Sequence, residues 1–237
     1  MEGEKKEVMT TRHNSFYLIH KALRVAMYEM ATALQQADFT DVISAEATIQ
    51  QVEELLMLFE SHAHGEDHFF NEPLEAKEPA IAKLFEKEHE EDHRLANVLQ
   101  QLTESWRVAI TNDQRLEYGR LLCYAFNEFV AFNLYHMNKE EMELNEALWR
   151  HYTDEQILAT EQVLVSQIPP DKMMKYAHWL VRGLSVEDLV GWLKPIQQNA
   201  PAPVFDALVA VAKEQLPAAR YDLLTQRLAV PEAVSVL

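Results

Sequence analysis

EKEHEEDHRL, residues 86–95, sets His89 and His93 in a strongly charged run that no glycine or proline interrupts. On a helix, residues four apart stack one turn apart on the same face. On a solvated face these imidazoles would be idle; on a buried one they would need a partner. Phe85, His89, Asp92/His93, Ala96, Leu99 and Thr103 recur at steps of three and four, so the histidines continue an apolar stripe that faces a core.

Three other segments repeat the pattern. One stripe runs Phe16, Ile19/His20, Leu23, Met27, Met30 and Leu34. A second runs Val52, Leu55, Phe59, His62, Glu66 and Phe69. A third runs Leu122, Ala125, Phe129, Phe132, His136, Glu140, Glu143 and Ala147. Four segments thus place ionisable groups where a core wants carbon. Buried charge is costly unless paired or coordinated, and His20, His62, Glu66, His89, His93, His136 and Glu140 together call for one common partner. Counted from the intervening turns, they fall within one or two helical turns of a common height, at about 1.5 Å rise per residue. Imidazole suits iron, zinc, copper and nickel, and shared carboxylates suit paired iron or manganese. The set exceeds what one tetrahedral ion needs, which favours a dinuclear site.

The rest of the chain fits an all-α protein. Among 237 residues there are only five glycines, 48% are apolar, and strand-like alternation is hard to find. The spacing predicts helices over about 14–37, 44–71, 79–110 and 111–151, with Asn14 or Ser15 and Ser44 as caps and Pro73 as a stop. Short connections make an up-down-up-down four-helix bundle over residues 12–151. Beyond it, prolines 169, 170, 195, 201, 203, 217 and 231 punctuate shorter helices near 154–167, 171–182, 185–198, 203–214 and 217–228. Residues 152–237 therefore form a C-terminal multi-helix extension that packs on the bundle or mediates a homo-oligomer.

A net charge of −17 excludes nucleic acid and anionic membranes as partners, since both require a basic footprint. A single cysteine, Cys123, forms no internal disulfide, and no apolar run is long enough to span a membrane; a soluble cytoplasmic location is expected. The polar start, residues 1–14, is expected to fray. His64 and His68 fall off the buried line, and His13, His151 and His178 read as surface or structural. Tyr17, Tyr124 and Tyr135 read as core aromatics, and Cys123 as a small buried hydrophobe.

His20 alone, then HAHGE (62–66), HEEDH (89–93) and HMNKEE (136–141), in that order, resemble the hemerythrin-like, or HHE cation-binding, family; FFNEPLE (69–75) is similar to its ending after the second helix. The resemblance covers about residues 12–150. It implies two non-heme iron ions, oxo- or hydroxo-bridged, that meet dioxygen or nitric oxide. One iron would hold three histidines and the other would keep an open position. Short oxygen carriers of the family have His-x4-Asp in the fourth helix and no extension. Here Glu140 and Glu141 stand at the fourth and fifth positions after His136. Successive helical residues are about 100° apart, which makes Glu140 the bridge and Glu141 a flanking group. A protein that binds or senses the diatomic is expected rather than an enzyme. The alternative is a di-iron oxidase or reductase, or an iron-handling protein, using the same centre with an external electron donor.

Overall fold

The computed structural model describes residues 12–230, so residues 1–11 of the polar start and residues 231–237, Pro231 among them, lie outside the described residues. Every regular element among the described residues is helical: α1 (Tyr17–Gln36), α2 (Val42–Glu66), α3 (Glu72–Glu75), α4 (Pro79–Arg107), α5 (Asn112–Lys139), α6 (Asn145–His151), α7 (Asp154–Gln167), α8 (Pro170–Gly183), α9 (Val186–Asn199), α10 (Ala202–Gln215) and α11 (Ala218–Leu228). None is long and apolar enough to cross a membrane.

Side chains accept from the orphan amides at the start of α1, α2 and α5, while α4 starts on Pro79, which has no amide to satisfy. Asn14 Oδ1 accepts from the amides of Phe16 and Tyr17 at 3.0 and 2.9 Å. Asp41, rather than Ser44, caps α2 by accepting from Ile43 and Ser44. Thr111 and Gln114 close a reciprocal capping box on α5, and Thr153 with Gln156 does the same for α7. α1 packs on α2, α2 on α4, α4 on α5 and α5 back on α1, which closes the four-helix bundle.

Each bundle helix crosses two apolar layers. The larger joins Leu23, Met27, Phe59, Leu95, Leu99, Trp106, Leu122 and Phe129. The smaller caps one end with Phe16, Phe70, Leu74, Phe85, Leu144 and Leu148. On every helix the histidines and glutamates of interest lie between these layers. Fully burying a side chain such as Phe85 contributes about 1.5–3 kcal/mol. The layers can therefore hold polar groups out of water between them.

Two π turns interrupt the helices at that height, Asp67–Asn71 after α2 and Glu140–Leu144 after α5. The first explains why Pro73 does not end the helix. The wider turn leaves Pro73 in the first turn of α3, where a missing N–H costs least. The second places Leu144 inward, so Glu143, assigned to the stripe by periodicity, is exposed. Tyr17, Tyr124 and Tyr135 are also exposed rather than core aromatics, at 41, 55 and 75%. The inner face of α5 is taken by Leu122, Phe126 and Phe129, and Tyr124 and Tyr135 fall on its outer side. Cys123 is partly buried, with Sγ 3.4 Å from the Leu34 carbonyl.

The extension packs on its own bundle. α8 lies along α1, where a Cβ on Gly183 would stand 2.6 Å from the Lys21 carbonyl oxygen; glycine permits the approach. Lys21 pairs with Asp188 and Arg182 with Glu29, each at 2.5 Å. The Tyr176 hydroxyl donates to the Leu58 carbonyl of α2 at 2.9 Å. Ala22 of α1 joins Val181, Leu189, Leu193, Leu208 and Leu224 in a separate core. Pro195 sits inside α9 rather than at an end. It and Gly191, whose carbonyl its ring deprives of a donor, are both exposed, so water can serve that carbonyl.

Candidate metal centre

Six of the seven residues singled out on the stripes meet between the two apolar layers. His20 comes from α1, His62 and Glu66 from α2, His89 from α4, His136 from α5, and Glu140 opens the π turn after it. They form two groups, His20–His62–Glu66–Glu140 and Glu66–His89–His136–Glu140, with donor atoms within 4.8 Å of one another in each. The two glutamates are common to both groups.

Each shared carboxylate offers one oxygen to each group. Glu66 Oε1 lies 3.1 Å from His62 Nε2 and 3.4 Å from His20 Nε2, while Glu66 Oε2 lies 3.6 Å from His89 Nε2. Glu140 Oε2 lies 3.4 Å from His20 Nε2, and Glu140 Oε1 lies 3.0 and 3.4 Å from His136 and His89 Nε2. All four carboxylate oxygens, and His89 Nε2, are buried without a hydrogen-bond partner. Buried polar atoms are normally satisfied, so five orphans aimed at common points call for a ligand. Imidazole nitrogens and shared carboxylates are the donors that paired transition-metal ions take. The residues fit a binuclear metal site.

Three imidazoles are held from outside. His20 Nδ1 donates to Glu141 at 3.1 Å, His89 Nδ1 to Asp67 at 2.7 Å and His136 Nδ1 to Glu88 at 2.9 Å. Placing the outer proton on Nδ1 leaves the Nε2 lone pair facing inward, and the carboxylate makes the ring a stronger donor. Each holding carboxylate sits on a helix next to that of its histidine: Glu141 follows α5 and holds α1, Asp67 follows α2 and holds α4, Glu88 on α4 holds α5. Glu141 also pairs with Arg24 at 2.8 Å, and Glu88 pairs with Lys139. Among the described residues, no carboxylate holds His62 this way, and its side chain is 13% exposed.

Electrostatics follows the packing. Burial pushes the His89 and His136 imidazoles down, but Asp67, Glu66, Glu140 and Glu88 outweigh it. The two rings stand above their ordinary range, His136 at about 10 and His89 at about 12. His20 is raised in the same manner. Burial raises Glu66, yet the surrounding histidines hold it well below the usual carboxylate range. Without metal, protons take the place of cations.

His93 does not join the centre. It is exposed and lies outside both groups. The inward line of α4 steps by three at this point, from His89 to Asp92, and continues through Leu95 and Leu99. His93 is about 100° round the helix from Asp92. Each group consequently has two histidines, in place of the three-and-two division that the family resemblance implied. His64 and His68 are exposed, His68 pairing with Glu72; His13 pairs with Glu161, His151 with Glu78, and His178 stacks edge-on to Trp179.

Periodicity did not single out Asp67 and Glu88, and it put Asp92 on the stripe beside His93 without assigning it a role. The sequence does carry a signal for Asp67 and Glu88: like Glu141, each is an acidic residue directly adjacent to a stripe residue, Asp67 to Glu66 and Glu88 to His89. Asp92 is buried and accepts a hydrogen bond from Asn133 Nδ2 at 2.7 Å. Burial pushes its carboxyl up, against Asn133 and the fields of His136, His89 and His93.

Comparison with known proteins agrees with this geometry. No curated protein and no solved structure matches the chain. The family profile described as hemerythrin HHE cation binding domain matches residues 13–148, the span that carries all six converging side chains. Domains of this type typically bind metal and gas rather than catalyse. The chain belongs to the hemerythrin HHE cation-binding domain family.

Proposed function

We propose that this protein is a non-heme di-iron protein that binds or senses dioxygen or nitric oxide at a carboxylate-bridged centre in the bundle. In this reading His20 and His62 hold one ion, His89 and His136 hold the other, and Glu66 and Glu140 bridge the pair. The observation that carries it is the disposition of Glu66 and Glu140, each with one unpartnered buried oxygen toward each histidine pair. Bound iron would supply reversible one-electron chemistry toward a diatomic gas. The chain's own part is to hold four imidazoles and two carboxylates in fixed directions and to keep water out.

That exclusion has a structural basis. Phe16 stacks on His20 with centroids 5.6 Å apart, and Phe132 stacks on His136 at 5.8 Å. Phe85 and Phe70 close the capped end. A dry, apolar surround slows proton delivery and irreversible oxidation, which favours reversible capture over turnover.

The test is metal analysis of protein made in iron-replete cells, followed by oxygen and nitric oxide titration of the reduced form. Two iron ions per chain and a reversible spectral change are expected. A fully occupied single site overturns the di-iron reading. Sustained consumption of reductant and oxygen overturns the binding role in favour of a di-iron oxidase.

A further inference from the structure

The buried carboxylate of Asp92 has no part in the centre described so far. It is 3% exposed, and the partner found for it is one amide, Asn133 Nδ2. Asn133 is itself 2% exposed and is tied to the Phe129 carbonyl at 3.1 Å. Asp92 stands three residues after His89, and Asn133 three residues before His136. On packed α4 and α5, the two therefore form a polar layer about one turn from the His89–His136 pair. The facing residues of α1 and α2, Leu23 and Phe59, are apolar. The polar layer is confined to one side of the centre, the side of the second group.

A carboxyl group in a core is costly unless it is hydrogen-bonded, charge-paired or coordinated. No cation reaches Asp92 within ion-pair distance among the described residues, although it lies in the field of His89 and His136. Residues three apart on a helix share a face, and carboxylate and histidine at that spacing jointly bind metal in di-iron helical bundles. Asp92 also occupies the inward position of α4 that His93 misses.

Building on the binuclear reading above, we infer that Asp92 is a further ligand of the ion held by His89 and His136, released from Asn133 when that ion binds. The two ions are then unequal. The His89–His136 ion gains a third carboxylate, and the His20–His62 ion, whose His62 is partly exposed, keeps only the two shared ones.

Cobalt(II) titration of the full-length metal-free chain tests this, because visible absorption intensity reports coordination number. The chain should take up two ions. Asp92→Asn should leave one binding step unchanged and weaken the other by at least about tenfold, the low end of the effect of losing a supporting group around a metal. Its cobalt absorption should also rise in intensity as that ion loses a donor. Asn133→Ala should weaken neither step and should tighten the affected one if it changes at all, since Asp92 leaves Asn133 on binding and only the metal-free chain loses that hydrogen bond. The double variant Asp92→Leu/Asn133→Leu removes both polar partners together, a change that a core tolerates, and should repeat the Asp92→Asn result if that variant fails to fold. Two wild-type affinities with a wild-type spectrum in Asp92→Asn or the double variant overturn the assignment and leave Asp92 as a structural partner of Asn133. Uptake of fewer than two ions by the unsubstituted chain instead overturns the binuclear reading, and the assignment with it.

Discussion

Glu141 Oε1 lies 3.1 Å from Nδ1 of His20, on the opposite edge of the ring from Glu140, whose Oε2 is 3.4 Å from Nε2. Two successive glutamates thus grip one imidazole from its two sides. The π turn that begins at Glu140 comes after the α-helical step from His136, so the +4 residue stays on the inner face. Glu140→Gln should abolish the di-iron spectrum. Glu141→Gln should retain it with metal affinity lowered about 10–100-fold. The reverse pattern in the near-ultraviolet spectra of the two variants would make the +5 residue the bridge.

His62→Ala and His136→Ala should both lose metal and, with it, the stability that bound metal confers. An ion bound only by the folded chain at hundredfold excess over its Kd adds about 2.7 kcal/mol. Without metal, His62→Ala removes a partly exposed ring with no outer carboxylate and should cost little, whereas His136→Ala strands the buried Glu140 and should also destabilise the metal-free chain. His62, exposed at its edge and without an outer carboxylate, should release its ion faster than His89 or His136. Thermal unfolding with and without metal, together with chelator-driven release rates, checks both points; equal thermal shifts in the two forms would contradict the first.

The centre should make the two forms respond to pH in opposite directions. His89 and His136 have folded pKa values raised above 6.5, to about 12 and about 10. A raised value contributes stability that is complete below the unfolded pKa and is lost as pH rises through the folded one. The metal-free chain should therefore lose stability from neutral pH toward about pH 10. Metal uptake displaces those protons, so metal affinity should rise over the same window. Parallel melting curves of the two forms across that range measure it.

Gly183→Ala should loosen the extension. Its Cβ would meet the Lys21 carbonyl oxygen at 2.6 Å, a backbone atom that cannot swing aside. Overpacking of this kind costs about 1–3 kcal/mol. Metal stoichiometry should stay at the wild-type value, because the converging side chains all precede residue 152. A chain ending at residue 152 should likewise bind metal, at lower stability, since it uncovers Ala22 and the Tyr176 contact to α2. Calorimetry and metal analysis on both variants decide this; a helical truncation that binds no metal would place a necessary group in the extension.

The sequence by itself determined which faces of the four long helices are inward. Helical period links Phe59 to His62 and Glu66, and Phe129 to His136 and Glu140, whatever the neighbours are. Adding caps and prolines gave the helix order and the start of the extension. Period alone could not choose between Asp92 and His93, which straddle the edge of one stripe. The rotation of α4 about its axis is fixed by packing against α5, where Asn133 meets Asp92. Nor could it find the links from Glu141 to His20, Asp67 to His89 and Glu88 to His136. Those depend on distances between helices, which local periodicity does not contain. The same holds for the extension. Its apolar pattern specified helices, but only the close approach at Gly183 and Lys21 decided that they lie against α1 of their own bundle.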